Sequence, residues 1–333
     1  MSLTSAFHFI DSKLFKGEAF STPAPPLTIT AHFRRMVMYS IQGVTLPDGG
    51  APHLSLQIEG SSFSFGFSSD PNQLCQSLCG YDWVEDVSGW QKAHRSNGPY
   101  ALIVLSLDEP QTATCTYVLE NDECLAAYKC FEDAISLLDE YEEKVLPRII
   151  GSAIASLSTL TDDPKIREID RVTLGESQQY KHIRAFDIVG GQVELRVQRA
   201  LRSELYSQTL DLIEKTAQYL PTTCAKFYWL GCNEQDLLKS YIYLFLALEV
   251  LIHKDFEGAS GGDLKIKDLS KRFEFCATRH WIGISESDCR LFSKLKKIRN
   301  ALAHGALEIP KQTELHQLRG LTDKVLRSVS LWN

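Results

Sequence analysis

No run of apolar residues in this chain is long enough to cross a bilayer: the longest, Tyr241 to Ile252 within 333 residues, stops well short of the roughly 20 that a spanning helix needs. At the amino end no basic segment leads into an apolar one, so the pattern of a secretion signal is missing. These two absences lead us to expect a soluble cytoplasmic protein with no membrane partner. The nine cysteines are an odd number, scattered at 75, 79, 115, 124, 130, 224, 232, 276 and 289, which favours reduced thiols over a disulfide framework. Cys75 and Cys79 stand four apart, but no second Cys or His pair at zinc-ligand spacing accompanies them, so no metal site is expected. Gly49-Gly50 and Gly60-Ser61-Ser62 do not mark strand-to-helix turns of the phosphate-cradling kind, and no cofactor is expected. Internal repeats and low-complexity segments are also missing. A surplus of basic residues is lacking too: the net charge of −7 argues against broad, nonspecific attraction to nucleic acid, while leaving room for a focused site.

What is present divides the chain in two. At 44% hydrophobic it can bury two ordinary cores. Residues 1–200 carry 16 Lys+Arg against 26 Asp+Glu, and residues 201–333 carry 19 against 16, so the basic character is C-terminal. The patterning divides at the same place. From Leu27 to about Leu46 the residues are rich in Thr, Ile, Val, Phe and Tyr, and Pro47 to Gly50 read as the turn of a hairpin. Leu54 to Ile58 and Phe63 to Phe67 alternate as half-buried strands do, and Tyr100 to Leu107 and Thr114 to Leu119 continue in kind. A helical insertion is expected near 122–157, then strands at Arg171 to Leu174 and Ile183 to Val197, with a turn at Gly190-Gly191. From Leu201 the period becomes helical. Helices are expected at about 201–220, stopped by Pro221; 234–253; 263–279, introduced by Gly261-Gly262-Asp263; 285–304, with Ser285 as N-cap; and 311–331. The expected class is therefore α+β, a β-rich domain over 1–200 followed by an all-α bundle of about five helices over 201–333.

One segment of the bundle carries chemistry. Lys297-Ile298-Arg299-Asn300-Ala301-Leu302-Ala303-His304-Gly305 sets an Arg-Asn pair ahead of a His five residues after the Arg. Leu291, Leu295, Ile298 and Leu302 recur at intervals of four, three and four, the spacing of a core-facing helical stripe. On that wheel Asn300 and His304 fall opposite the stripe and Arg299 on its flank. Gly305 and Pro310 end the helix, leaving His304 in its last turn, where cations are favoured. Arg290, Lys294, Lys296 and Lys297 lie on the same helix and form a candidate rim for a phosphate-bearing partner. Glu249 is the one carboxylate in the Tyr241 to Ile252 run; it either reaches solvent or a backbone donor or, if buried, pairs with Arg299 or another polar group of the site.

With those residues in view, a terminal helical bundle whose penultimate helix ends in Leu295-Lys-Lys-Ile-Arg-Asn-Ala-Leu-Ala-His-Gly305, behind a core helix reading Leu244-Phe-Leu-Ala-Leu-Glu-Val-Leu251, resembles the HEPN superfamily, in particular its Apea-like branch. The resemblance covers residues 201–333 and is silent on 1–200. Its most specific element is the Asn beside the Arg, since an Arg with a His five later is common by chance. A Tyr two residues after the His, present in some toxin branches, is replaced here by Ala306. The resemblance implies a metal-independent endoribonuclease, a homodimer with the motif helices of its two protomers facing across a shared cleft. In that scheme His304 acts as general acid and base on the ribose 2′-OH and the leaving 5′-oxygen, Arg299 stabilises the pentacovalent phosphate, Asn300 orients the histidine or the phosphate, and Glu249 supports them. The implied partner is RNA, with tRNA a candidate. The implied setting is anti-phage defence by self-inflicted RNA damage, a phage-derived trigger being sensed by the N-terminal domain. The alternative is a noncatalytic RNA-binding, docking or dimerisation module, with the function carried by the N-terminal region. That region offers little chemistry: His8, His32, His53, His94 and His182 are isolated, and the aromatics around Phe63, Phe65, Phe67, Trp83 and Trp90 read as packing.

Overall fold

The computed structural model describes residues 27–46, 50–58, 61–115, 131–161, 163–177, 183–186, 199–200, 205–260, 265–304 and 309–329. The architecture is α+β. It comprises two compact units: Met1–Glu143 with Arg167–Glu204, and Lys144–Ile166 with Leu205–Asn333.

The first unit is built on an antiparallel sheet. Its strands are β1 (Leu27–Gln42), β3 (His53–Ile58), β4 (Ser61–Ser68), β5 (Tyr100–Ser106), β6 (Gln111–Cys115), β7 (Lys165–Ser177) and β8 (Ile183–Phe186), in the order β3-β4-β5-β1-β7-β8, with β6 on β1. A short parallel pair, β2 (Val44–Thr45) with β9 (Arg199–Ala200), stands apart. The hairpin expected after residue 46 does not form between β1 and β3: β3 pairs with β4, from His53 opposite Gly66 to Ile58 opposite Ser61. β1 instead lies at the sheet's centre. It pairs with β5 (Val37 opposite Ile103) and, further back, with β6 (Ile29 opposite Ala113). A sixteen-residue strand whose apolar side chains occupy both parities suits a place buried on both faces. The expected turn at Gly190-Gly191 and the strand ends at 116–119 and 187–197 lie outside the described residues.

Two short helices cover one face of that sheet, α1 (Pro71–Cys79) and α2 (Val87–His94). Leu74, Cys75, Trp83 and Trp90 from this segment close over Met36, Met38, Leu102 and Val104. Neither helix is expected from periodicity, since nine and eight residues are too few to develop a stripe. Their caps do mark them. Asp70 accepts from the backbone N–H of Asn72 at 2.7 Å ahead of Pro71, and Asp86 accepts from Gly89 at 3.0 Å. Gly80 then ends α1 at φ 82°, a left-handed conformation that favours glycine.

The second unit contains α3 (Glu132–Leu157) from residue 144 onward, then α4 (Tyr206–Tyr219), α5 (Thr222–Asn233), α6 (Leu237–Ser260), α7 (Leu269–Arg279), α8 (Glu286–Ala303) and α9 (Gln312–Val329). The division thus differs from a single cut near residue 200, because the second half of α3 is stitched into the bundle. Buried Arg148 donates through Nε to the Ala217 carbonyl at 2.8 Å and through Nη2 to that of Gln218 at 2.6 Å, satisfying the last turn of α4. Among the described residues, six helices come after residue 205 rather than about five. The additional one, α5, has the sequence Thr-Thr-Cys-Ala-Lys-Phe-Tyr-Trp-Leu-Gly-Cys-Asn, mostly residues of weak helical propensity. Pro221 opens it from the N-cap position, where its carbonyl accepts the first helical bond from Ala225 at 2.9 Å. α7 likewise starts at the Asp268 cap and not at Asp263.

α6 is the axis of this unit, packed by α5, α7 and α9. Tyr241, Leu244, Phe245, Ala247, Leu248, Leu251 and Ile252 are all buried on it. α5 approaches it closely at Gly231, where a Cβ would stand 2.7 Å from Leu244 Cγ and 3.0 Å from the Leu244 backbone nitrogen. Helix propensity alone would make Gly231→Ala stabilising by about 0.5–1 kcal/mol. The clash with backbone outweighs it, and the variant should lose about 1–3 kcal/mol in urea unfolding.

Asp323 on α9 is buried and accepts a hydrogen bond from the Tyr228 hydroxyl on α5. Burial pushes its carboxyl up to about 6, above the ordinary 3.8. The protonated form therefore binds its proton more tightly in the fold than in the unfolded chain. That contribution is complete below pH about 4 and is lost as pH rises to about 6. Asp323→Asn should flatten the decline in stability over this interval, by roughly 2–3 kcal/mol between its ends, as read from urea midpoints across pH.

Candidate functional site

The site is assembled where α8 and α7 meet α6. α8 starts from a full capping box, with the Ser285 backbone N–H donating to Asp288 Oδ2 at 2.7 Å, and Lys324 of α9 pairs with the same carboxylate. Phe292 is the anchor of its buried face. It stacks on Phe273 of α7, 4.3 Å between centroids at 7°, and on Phe245 of α6 at 5.8 Å. The Tyr241 hydroxyl donates to the Leu295 carbonyl at 2.8 Å, fixing the rotation of α8 about its axis.

That rotation differs from the expected one. Phe292 and Leu295 are fully buried, whereas Leu291, Ile298 and Leu302 are only half-buried. The core-facing direction is therefore turned so that Arg299 lies on the packed side of the helix and not on its flank. Its guanidinium sits 5.6 Å above the Phe245 ring, and Nη2 donates to Glu249 Oε2 at 3.0 Å. Nη1 approaches Asn300 Oδ1 at 3.4 Å, a weak bond. Glu249, on a helix otherwise apolar here, thus takes its cation from Arg299.

Two residues not anticipated from the sequence complete the group. His253 stands one turn beyond Glu249, Nε2 to Oε1 at 4.0 Å, and its Nδ1 lies 2.6 Å from Arg272 Nη1 on α7. A guanidinium nitrogen can only donate, so Nδ1 accepts and the ring proton belongs on Nε2, facing Glu249. Arg272 also donates through Nε to the Ile266 carbonyl at 2.6 Å. The Glu-x-x-x-His spacing on α6 was the available signal for His253. Arg272 had none, because its partner is distant in sequence.

Asn300 is half-buried and His304 exposed. His304 occupies the C-cap of α8, its backbone N–H bonded to the Asn300 carbonyl at 3.1 Å and to that of Ala301 at 3.2 Å. Among the described residues the His304 ring has no hydrogen-bond partner; Gly305, expected as the cap, lies outside them. Of the expected basic rim, Lys296 is paired with Asp268 at 2.5 Å and Arg290 with Glu286 at 3.3 Å, while Lys294 and Lys297 are exposed. Lys296 holds the Asp268 carboxyl below its usual range. Chemically, the group offers a pre-oriented guanidinium with unused N–H donors, an adjacent amide and, one turn on, an imidazole open to solvent.

A separate cavity of about 300 Å³ is lined by residues including Tyr219, Lys254, Asp255, His280 and Trp281, none of which belongs to this group. Among the described residues no cluster of three or more His, Cys, Asp or Glu side chains is placed to hold a metal ion, and no helix is long and apolar enough to cross a membrane. Comparison with protein families, curated proteins and solved structures finds no match to this chain.

Because Arg299 and Glu249 are partly exposed, their pairing should contribute only about 0.5–1 kcal/mol. A double-mutant cycle of Glu249→Gln and Arg299→Met in urea unfolding should return a coupling of that size. Strict additivity would refute the contact.

Proposed function

We propose that the chain is a metal-independent endoribonuclease acting as a homodimer, with Arg299, Asn300 and His304 as its reacting group. The observation that carries this reading is the Arg299 guanidinium, oriented by Glu249 beside Asn300 and followed one turn later by the solvent-open His304 ring. A phosphodiester held on the free N–H groups of Arg299 would have its developing charge met by a donor that needs no reorganisation. The nucleophile is the substrate's own ribose 2′-OH, so no activated water is required. In a dimer the two His304 rings divide the work, one taking the 2′-OH proton and the other protonating the leaving 5′-oxygen. The products are a 2′,3′-cyclic phosphate and a 5′-hydroxyl.

The half-buried Leu291, Ile298 and Leu302 leave an apolar strip beside the motif, which supports pairing of two α8 helices. RNA is the partner that this chemistry demands, tRNA included, and Lys294 and Lys297 are the cations available to draw it in.

A noncatalytic docking module is the second reading. It is favoured by the neutralisation of Lys296 by Asp268 and of Arg290 by Glu286, which halves the positive rim. One assay separates the two. Incubated with tRNA and total RNA in EDTA, the protein should release fragments with cyclic-phosphate ends, and His304→Ala or Arg299→Ala should each slow release by about a hundredfold or more. Cleavage that depends on magnesium, or that survives both substitutions, rejects the nuclease. RNA that is bound but left intact, equally by His304→Ala, selects the docking module.

A further inference from the structure

In the second unit, the cavity of about 300 Å³ lies where three helices end: α4 at Tyr219, α6 at Ser260 and α7 at Arg279. Helix carboxyl ends carry partial negative charge, and buried Asp255 adds a full one. Two rings flank that carboxylate. The Tyr219 hydroxyl donates to Oδ1 and Trp281 Nε1 to Oδ2 at 2.7 Å, so among the described residues its hydrogen bonds come from uncharged donors. Into this setting the chain sends a cation of its own. Lys254 Nζ stands 3.5 Å from the centre of the Tyr219 ring and donates to the Tyr219 carbonyl at 2.5 Å, although the residue as a whole is exposed. We propose that the cavity binds a small organic ammonium ion with an apolar, aromatic body, whose head takes the place of the Lys254 ammonium over Tyr219.

The sign of the ligand follows from the charges that face the cavity. Arg148 covers the α4 carbonyls of Ala217 and Gln218 and leaves that of Tyr219 to Lys254. With the Lys254 head withdrawn, a buried carboxylate, an open carbonyl and the face of an aromatic ring remain, and each of these attracts a cation. An anion would meet all three as repulsion. Lys254 is also an imperfect occupant. Burial holds its ammonium below the ordinary value, with Asp255 opposing that effect, so a strongly hydrated head is being desolvated. Its exposed stem lets it swing out to water. The body of the ligand follows from the rest of the lining. Trp281, held against Phe273 at 5.1 Å, and the bare backbone of Gly258 and Ala259 give an apolar wall beyond the space an ammonium head fills. A volume of this size is at the small end of ligand pockets, which suits one ring on a short alkyl arm. A primary or secondary amine keeps an N–H for the Tyr219 carbonyl, reproducing the bond that Lys254 gives up. The site is independent of Arg299 and His304.

The test titrates the full chain with phenethylamine and follows the indole N–H resonance of Trp281, assigned through Trp281→Phe. The resonance should move and saturate, with a midpoint of about 1 mM or below. The uncharged analogue 2-phenylethanol should bind about tenfold more weakly or worse, and the anion 3-phenylpropanoate should leave the resonance in place. Lys254→Met removes the resident competitor and should tighten phenethylamine by about tenfold. Gly258→Leu adds a side chain where a Cβ meets nothing within 4 Å, and should weaken binding about tenfold or more with the melting temperature retained. No saturable movement in the wild type or in Lys254→Met overturns the site. Equal binding of 2-phenylethanol overturns the requirement for charge, and binding unchanged by Gly258→Leu overturns the location. Binding of 3-phenylpropanoate that Lys254→Met abolishes makes this an anion site anchored on Lys254 and overturns the proposal.

Discussion

A carboxylate turned inward on an otherwise apolar helix must be met by donors from other elements, and α6 carries two such groups besides the exposed Glu257. Asp255 is buried and accepts from the Tyr219 hydroxyl at the end of α4 and from Trp281 Nε1 at 2.7 Å just after α7. Glu249, a turn and a half earlier, accepts from Arg299 on α8. An uncompensated charge at buried Asp255 would cost several kcal/mol, while the partly exposed Glu249 gains about 0.5–1 kcal/mol from its partner. The helices around α6 are therefore not free to choose their rotation by apolar packing alone. α4, α7 and α8 each present a donor at a fixed height, and the aromatic stack of Phe245, Phe292 and Phe273 joins α6, α8 and α7. The same constraint that secures the bundle delivers Arg299 to the surface in one orientation.

Legibility followed the range of the interactions. The period change at residue 201, the Ser285 cap and the central place of α6 are local patterns of hydropathy and capping, and the sequence displays them directly. α5 did not show because its residues are poor helix formers held helical by burial against α6, a tertiary effect. α1 and α2 were too short for periodicity, although Asp70-Pro71 and Asp86 signal them by capping chemistry. The partners of β1 are hidden from the sequence for a different reason. A turn signal says that a chain reverses, not which strand it returns beside, and β5, β6 and β7 enter from far along the sequence.

In the candidate site the same distinction holds residue by residue. Arg299, Asn300 and His304 share one helix and are read from spacing. Their setting is not, because a wheel drawn through Leu291, Leu295, Ile298 and Leu302 has no knowledge of Phe292. The aromatic ring takes the deepest position and turns the helix by roughly the angle between neighbouring positions of the stripe. Arg299 moves inward with it, which is why it reaches Glu249 at 3.0 Å and lies over Phe245. Arg272 and His253 extend the network through a contact between α7 and α6 that no local pattern encodes.

This inward placement bears on what Arg299 can do. A guanidinium paired with a carboxylate attracts a distant anion less than a free one, so in the proposed nuclease encounter with a phosphate would rest on Lys294 and Lys297. Close up, the balance reverses. Glu249 engages one edge of the fork, Asn300 stands beside another, and the ring of Phe245 supports the plane, so the remaining donors are aimed before any substrate arrives. A free arginine would have to lose rotamer entropy of about 2 kcal/mol on engaging a phosphate; here that loss is already met in folding. Pairing thus weakens long-range capture and strengthens the stabilisation of charge that develops at one point. That exchange suits a site that discriminates a transition state from a ground state, and suits poorly one whose task is only to hold RNA.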